Sequence, residues 1–92
     1  MKIIISPKIA DKLKDKHNVT PEEVMQCLVN VEDEPLIDDR LQHRTIPPTQ
    51  WIIAETNRCR MLKVVFIRKL DGIHIKTAYA PNEDELDIWN QK

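Results

Sequence analysis

The basic side chains of this sequence are unevenly spread. Between Arg58 and Lys76 stand six of them, Arg58, Arg60, Lys63, Arg68, Lys69 and Lys76, against a single acid, Asp71. The segments on either side are both net acidic, and the whole chain sums to −1. A local surplus of this kind can draw in phosphate groups, although the overall charge argues against a protein that binds nucleic acid through bulk basicity. His74 lies in the same stretch, two residues before Lys76. Its imidazole ordinarily titrates at about pH 6.5, so it can exchange protons near neutrality.

The remaining chemistry-bearing groups are more scattered. Cys27 and Cys59 form no CxxC pair and no histidine-spaced cluster, so neither a disulfide framework nor a zinc site is expected. Asp38-Asp39 and Glu83-Asp84-Glu85 admit a magnesium reading, but solvated acids are the plainer one, and no metal or cofactor is expected. His17 reads as a capping or packing residue. His43-Arg44 falls in a polar loop that either contacts substrate or is inert. Arg60 has a simple role available as the cross-strand partner of Glu55. Tyr79 and Trp89 read as core residues, each also suited to anchoring a partner.

The elements that position these groups follow from local signals. Lys2-Ile3-Ile4-Ile5 reads as a short buried strand, because three consecutive β-branched residues favour extended backbone, and Ser6-Pro7 stops it. Ser6 as N-cap and Pro7 at the first helical position start a helix with Ile9, Ala10 and Leu13 as its apolar stripe, ending at His17-Asn18. Thr20, Pro21 and Glu23 form a capping box opening a second helix, which buries Val24, Cys27, Leu28 and Val31. Leu36-Ile37 is a short strand candidate before a polar loop. The period then changes to two, and residues 51–56, 60–68 and 73–78 read as three strands joined by two-residue turns at Asn57-Arg58 and Asp71-Gly72. Asn82 and Glu85 cap a last helix carrying Leu86 and Trp89 inward.

Those turns set an expected register. They place Trp51, Ile53, Leu62, Val64, Phe66, Ile73, Ile75, Thr77 and Tyr79 on a helix-covered face. The opposite face receives Ile52, Ala54, Met61, Lys63, Val65, Ile67, His74, Lys76 and Ala78, and is the expected functional face. With 92 residues, 41% of them apolar and 32% charged, the chain has material for one core. The expectation is therefore a single α+β domain over residues 1–92, in the order β-α-α-(β)-β-β-β-α. Its antiparallel sheet combines a three-stranded C-terminal meander with the N-terminal strand, and carries two N-terminal helices and a C-terminal one. No apolar run approaches the ~20 residues that span a bilayer, and the isoleucine run breaks before a signal-peptide core forms. A cytoplasmic location without membrane contact is expected.

Several segments resemble a known family. Lys16-His17-Asn18-Val19-Thr20-Pro21-Glu22-Glu23-Val24 is similar to the opening of BrnT-type toxins, Leu62-Lys63-Val64-Val65-Phe66 to their central strand, and Ile73-His74-Ile75-Lys76-Thr77-Ala78-Tyr79 to their last strand. A broader group of small domains shares the pattern carried here by residues 22–28, Asp39-Arg40, residues 62–65 and residues 77–79. The resemblance implies the RelE/ParE-like toxin fold and membership of a type II toxin–antitoxin pair. It also implies metal-independent RNA cleavage, with a cognate antitoxin and RNA as partners; a homo-oligomer is a further option that the resemblance does not address. On that reading Lys63, Lys76 and His74 form the catalytic set, the lysines facing phosphate charge and the imidazole exchanging protons. Arg58, Arg60, Arg68 and Lys69 would hold the RNA backbone. Tyr79 and the acidic run Glu83-Asp84-Glu85-Leu86-Asp87 stand where those toxins commonly carry positive charge. That departure supplies the competing expectation, a non-catalytic protein-binding module of the same fold.

Overall fold

The computed structural model describes residues 2–38 and 46–92, so the expectations placed on Asp39, Arg40, His43 and Arg44 lie outside the described residues. The elements are β1 (Ile3–Ile4), α1 (Pro7–His17), α2 (Pro21–Asn30), β2 (Leu36–Ile37), β3 (Thr49–Glu55), β4 (Met61–Lys69), β5 (Gly72–Tyr79) and α3 (Glu83–Asn90). The helix starts are those the sequence signals. Ser6 Oγ accepts the Ile9 N–H, and full capping boxes join Thr20 to Glu23 and Asn82 to Glu85. Asn18 ends α1 in the left-handed conformation, at φ 52°.

The strands form one five-stranded sheet in the order β1-β5-β4-β3-β2. It is mixed rather than antiparallel, because β1 lies parallel to β5 while the other neighbours are antiparallel. The parallel pairing follows from α1, which leaves the end of β1 and returns across β5, against which it packs.

Two turns differ from expectation, and with them the faces. The β3–β4 connection has three residues, since the Thr56 N–H bonds to Arg60 O, the Cys59 N–H bonds to Thr56 O, and Cys59 takes φ 63°. A type I turn followed by a left-handed residue is a favoured three-residue hairpin. The extra residue shifts the register by one, pairing Trp51 with Val65 and Ile53 with Lys63. The second turn is Leu70-Asp71, and Gly72 begins β5 with φ 143°. A β-carbon at Gly72 would stand 2.5 Å from the Lys2 carbonyl oxygen, so the β1–β5 approach requires glycine. A bulge then leaves Lys76 unpaired between Ile75, opposite Phe66, and Thr77, opposite Val65.

As a result α1 and α2 cover Ile52, Ala54, Leu62, Val64, Phe66, Ile75 and Ala78, joined by Leu13, Val19, Val24 and Cys27 in the core. Trp51, Ile53, Thr77 and Tyr79, expected on that face, lie on the other with Lys63 and His74. The expected functional face is thus partly covered by α3, whose Trp89 packs on Trp51 with ring centroids 5.8 Å apart. Among the described residues no helix is long and apolar enough to cross a membrane.

Candidate functional site: a basic groove

The bulge and the register divide the candidate residues among three places. Lys63 is buried beneath α3. Its Nζ lies 2.7 Å from Glu85 Oε2 and 4.5 Å from the centroid of Trp51, and the Tyr79 hydroxyl donates to the same carboxylate oxygen at 2.7 Å. Burial alone would raise the Glu85 pKa, but hydrogen bonds from Lys63, the Asn82 N–H and Tyr79 outweigh it, and the net shift is downward. Burial, and then the bond to Glu85, pushes the Tyr79 phenol up. Glu85 opens α3 and also joins that helix to the sheet. Tyr79 stands between this cluster and α1, where His17 packs on its ring at 5.6 Å, the packing role expected of His17.

Arg60 is a clamp. Its guanidinium donates to the carbonyls of His17 and Asn18 and to the Glu23 carboxylate, closing the corner between α1 and α2 onto the hairpin. The partner is Glu23, not the cross-strand Glu55. Burial opposes ionisation of Glu23, yet the Thr20 N–H and Arg60 together hold its carboxyl below the ordinary value. Arg58 lies exposed on the same hairpin. Arg68 and Lys69 are exposed at the other end of β4, and eight strand steps put Arg68 about 27 Å from Arg60. No single backbone-holding surface contains all four basic residues.

His74, Lys76 and Lys69 do come together. With Ile4, Ser6, Ile9, Ile67 and Ile75 they line a shallow groove of about 220 Å³ where β1 and the start of α1 meet β5. His74 Nε2 lies 2.7 Å from Asp71 Oδ1. An ionised carboxylate can only accept, so Nε2 carries the proton and Nδ1 of the neutral ring holds the lone pair. The bond from His74 is the leading reason that the Asp71 pKa is lowered. Lys63 lies opposite Tyr79, and His74 opposite Ile67; the four-residue offset separates Lys63 from His74 by about 13 Å along the strand.

Asp71 was not singled out from the sequence, although Asp-x-x-His across a tight turn is a spacing that could have shown it. The sequence shows Glu85 as a helix cap and part of an acidic run, and nothing local indicates that Lys63 ends beneath α3 as its partner. Among the described residues no three His, Cys, Asp or Glu side chains are grouped so that they could hold a metal ion.

Fold and groove define the class as a small α+β domain with a five-stranded mixed sheet and a basic groove at one end. Comparison with protein-family models, curated proteins and solved structures finds no match to this chain.

Proposed function

We propose that the chain is the toxin-like component of a type II toxin–antitoxin pair, built on a RelE/ParE/BrnT-like fold and acting on RNA without a metal ion. The observation that carries this reading is the Asp71–His74 pair at 2.7 Å in a groove it shares with Lys69 and Lys76. A carboxylate that fixes the tautomer of an imidazole beside two cations is the minimum for transesterification at a phosphodiester. Nδ1 of His74 takes the proton of the ribose 2′-hydroxyl, and the 2′-oxygen bonds to phosphorus. The bond to the 5′-oxygen breaks, and that oxygen takes a proton from an ammonium of the groove. The products are a 2′,3′-cyclic phosphate and a 5′-hydroxyl. Lys69 and Lys76 face the charge that builds on the phosphoryl oxygens.

The test is incubation of the purified chain with RNA in EDTA, comparing wild type with His74→Ala and analysing the new ends. Cleavage with a cyclic phosphate, slowed by about 10²–10⁴-fold in His74→Ala, is the expected result. Full cleavage by His74→Ala would remove the imidazole from the mechanism. A second reading, a non-catalytic binding module of the same fold, is favoured by the pairing of Lys63 with Glu85 beneath α3, which takes this lysine away from any phosphate. No cleavage by wild type, with tight binding to the product of a neighbouring gene, would support it.

A further inference from the structure

The far end of the sheet holds a second and larger cleft, of about 570 Å³, between the α2–β2 connection, the end of β3 and α3. Its apolar lining includes Ile53, Met61, Leu86 and Trp89 and its charged lining is Glu32, Asp33 and Glu55, while the Lys92 ammonium lies 3.8 Å from the centroid of the Trp89 ring at the rim. Its wall is also an open sheet edge. The Thr56–Arg60 bond fixes the ladder so that even-numbered residues of β3 bond to β4. The odd-numbered ones point to the opposite edge, where Thr49 O accepts the Asp38 N–H and Trp51 is paired with Leu36. Beyond Leu36 the ladder stops, since residues 34 and 35 are not in a strand and pair with no residue of β3. Glu55 O accepts the Asn30 side-chain amide, but the Ile53 N–H and C=O have no partner among the described residues. Ile53 is only 5% exposed, and buried main-chain groups without partners are rare.

We propose that this cleft docks an extended lysine- or arginine-bearing segment of a partner protein, which adds to β3 as a strand at the open N–H and C=O of Ile53 and ends where Asn30 holds the Glu55 carbonyl. Main-chain bonds to the open edge give the segment its direction. Alternate side chains enter the apolar lining beside Trp89, and the others meet the acidic rim. A nucleic acid would meet three carboxylates here. The cleft is separate from the basic groove, since Thr49, across β4 from His74, is about 13–20 Å along β3 from Ile53 and Glu55. Docking and RNA cleavage can therefore fail independently.

The test is NMR titration of the isotope-labelled full chain with three capped pentapeptides. They are acetyl-Lys-Val-Arg-Val-Lys-amide, its acidic counterpart acetyl-Glu-Val-Asp-Val-Glu-amide, and the basic sequence N-methylated at alternate residues. The basic peptide is expected to shift the Ile53 and Glu55 amides and the Trp89 indole, and N-methylation to weaken it by about tenfold or more. Glu32→Gln and Asp33→Asn are exposed changes expected to weaken binding by roughly two- to fivefold each, with Lys69→Ala and Lys76→Ala neutral. Equal response to acidic and basic peptides, indifference to N-methylation, shifts confined to the basic groove, or no response at millimolar peptide would each overturn the proposal.

Discussion

Replacing Lys63 by methionine asks whether this lysine is part of the structure or available to a ligand. The side chains of Lys63 and Glu85 are 11% and 15% exposed. That places the pair between an exposed ion pair, worth about 0–1 kcal/mol, and a buried one, where removing one partner costs about 3–5 kcal/mol. Methionine keeps the stem packed on Trp51 but leaves Glu85 with only Tyr79 and the Asn82 N–H as donors. The expected loss is about 2 kcal/mol, or roughly 8–16 °C in Tm for a domain of this size. In a double-mutant cycle with Glu85→Gln the coupling should reach about 1–2 kcal/mol. The folded pKa of Glu85 lies below its ordinary value of 4.5, so its contribution is present above that value and fades as the pH falls through the folded one. Lys63→Met should flatten this part of the acid limb. Urea unfolding from neutral pH down to the acid limb measures all three quantities. A Lys63→Met variant within about 0.5 kcal/mol of wild type, or a coupling near zero, would refute the argument.

Three other substitutions test how the sheet and helices are joined. Arg60→Ala removes the donors that hold His17, Asn18 and Glu23, and should lower stability by about 1–3 kcal/mol in urea unfolding, with Arg60→Lys recovering only part of it. Gly72→Ala sets a β-carbon against the Lys2 carbonyl oxygen at a positive φ, and should cost about 1–3 kcal/mol in thermal unfolding. Cys59→Gly should be neutral or raise stability by up to about 1 kcal/mol in the same assay, because φ 63° suits glycine better than cysteine. The substitution leaves one thiol, Cys27, whose burial and the nearby Glu23 charge raise its pKa to about 11, so the variant should resist a thiol reagent until it unfolds.

How much of this was legible in the sequence depended on whether the cause was local. Ser6, Thr20 and Asn82 mark helix starts within a few residues, and period-two alternation marks β3, β4 and β5. The faces differ from the expected ones because one residue of loop length reverses a strand's faces, and Asn57-Arg58-Cys59 holds no glycine to show a three-residue turn. The bulge at Lys76 has no local marker either, and it reversed Thr77, Ala78 and Tyr79. Lys63, Lys76 and His74 looked like one cluster through alternation alone. The structure keeps His74 with Lys76, adds Lys69 and Asp71, and sends Lys63 beneath α3, since long-range partners leave no trace in spacing. The parallel pairing of β1 depends on where α1 returns, which short-range pattern does not encode.

The salt dependence of RNA binding tests most directly whether the groove formed by Lys69, His74 and Lys76 is the nucleic-acid site. Each single-stranded phosphate contact contributes about 0.7 to the slope of log K against log salt, so Lys69→Ala with Lys76→Ala should reduce the slope by about 1.4. Lys12→Ala with Lys14→Ala, on the exposed side of α1, should leave it unchanged, as should Lys63→Met. An unchanged slope in the groove variant, or a fall in the Lys63→Met slope, would contradict the account.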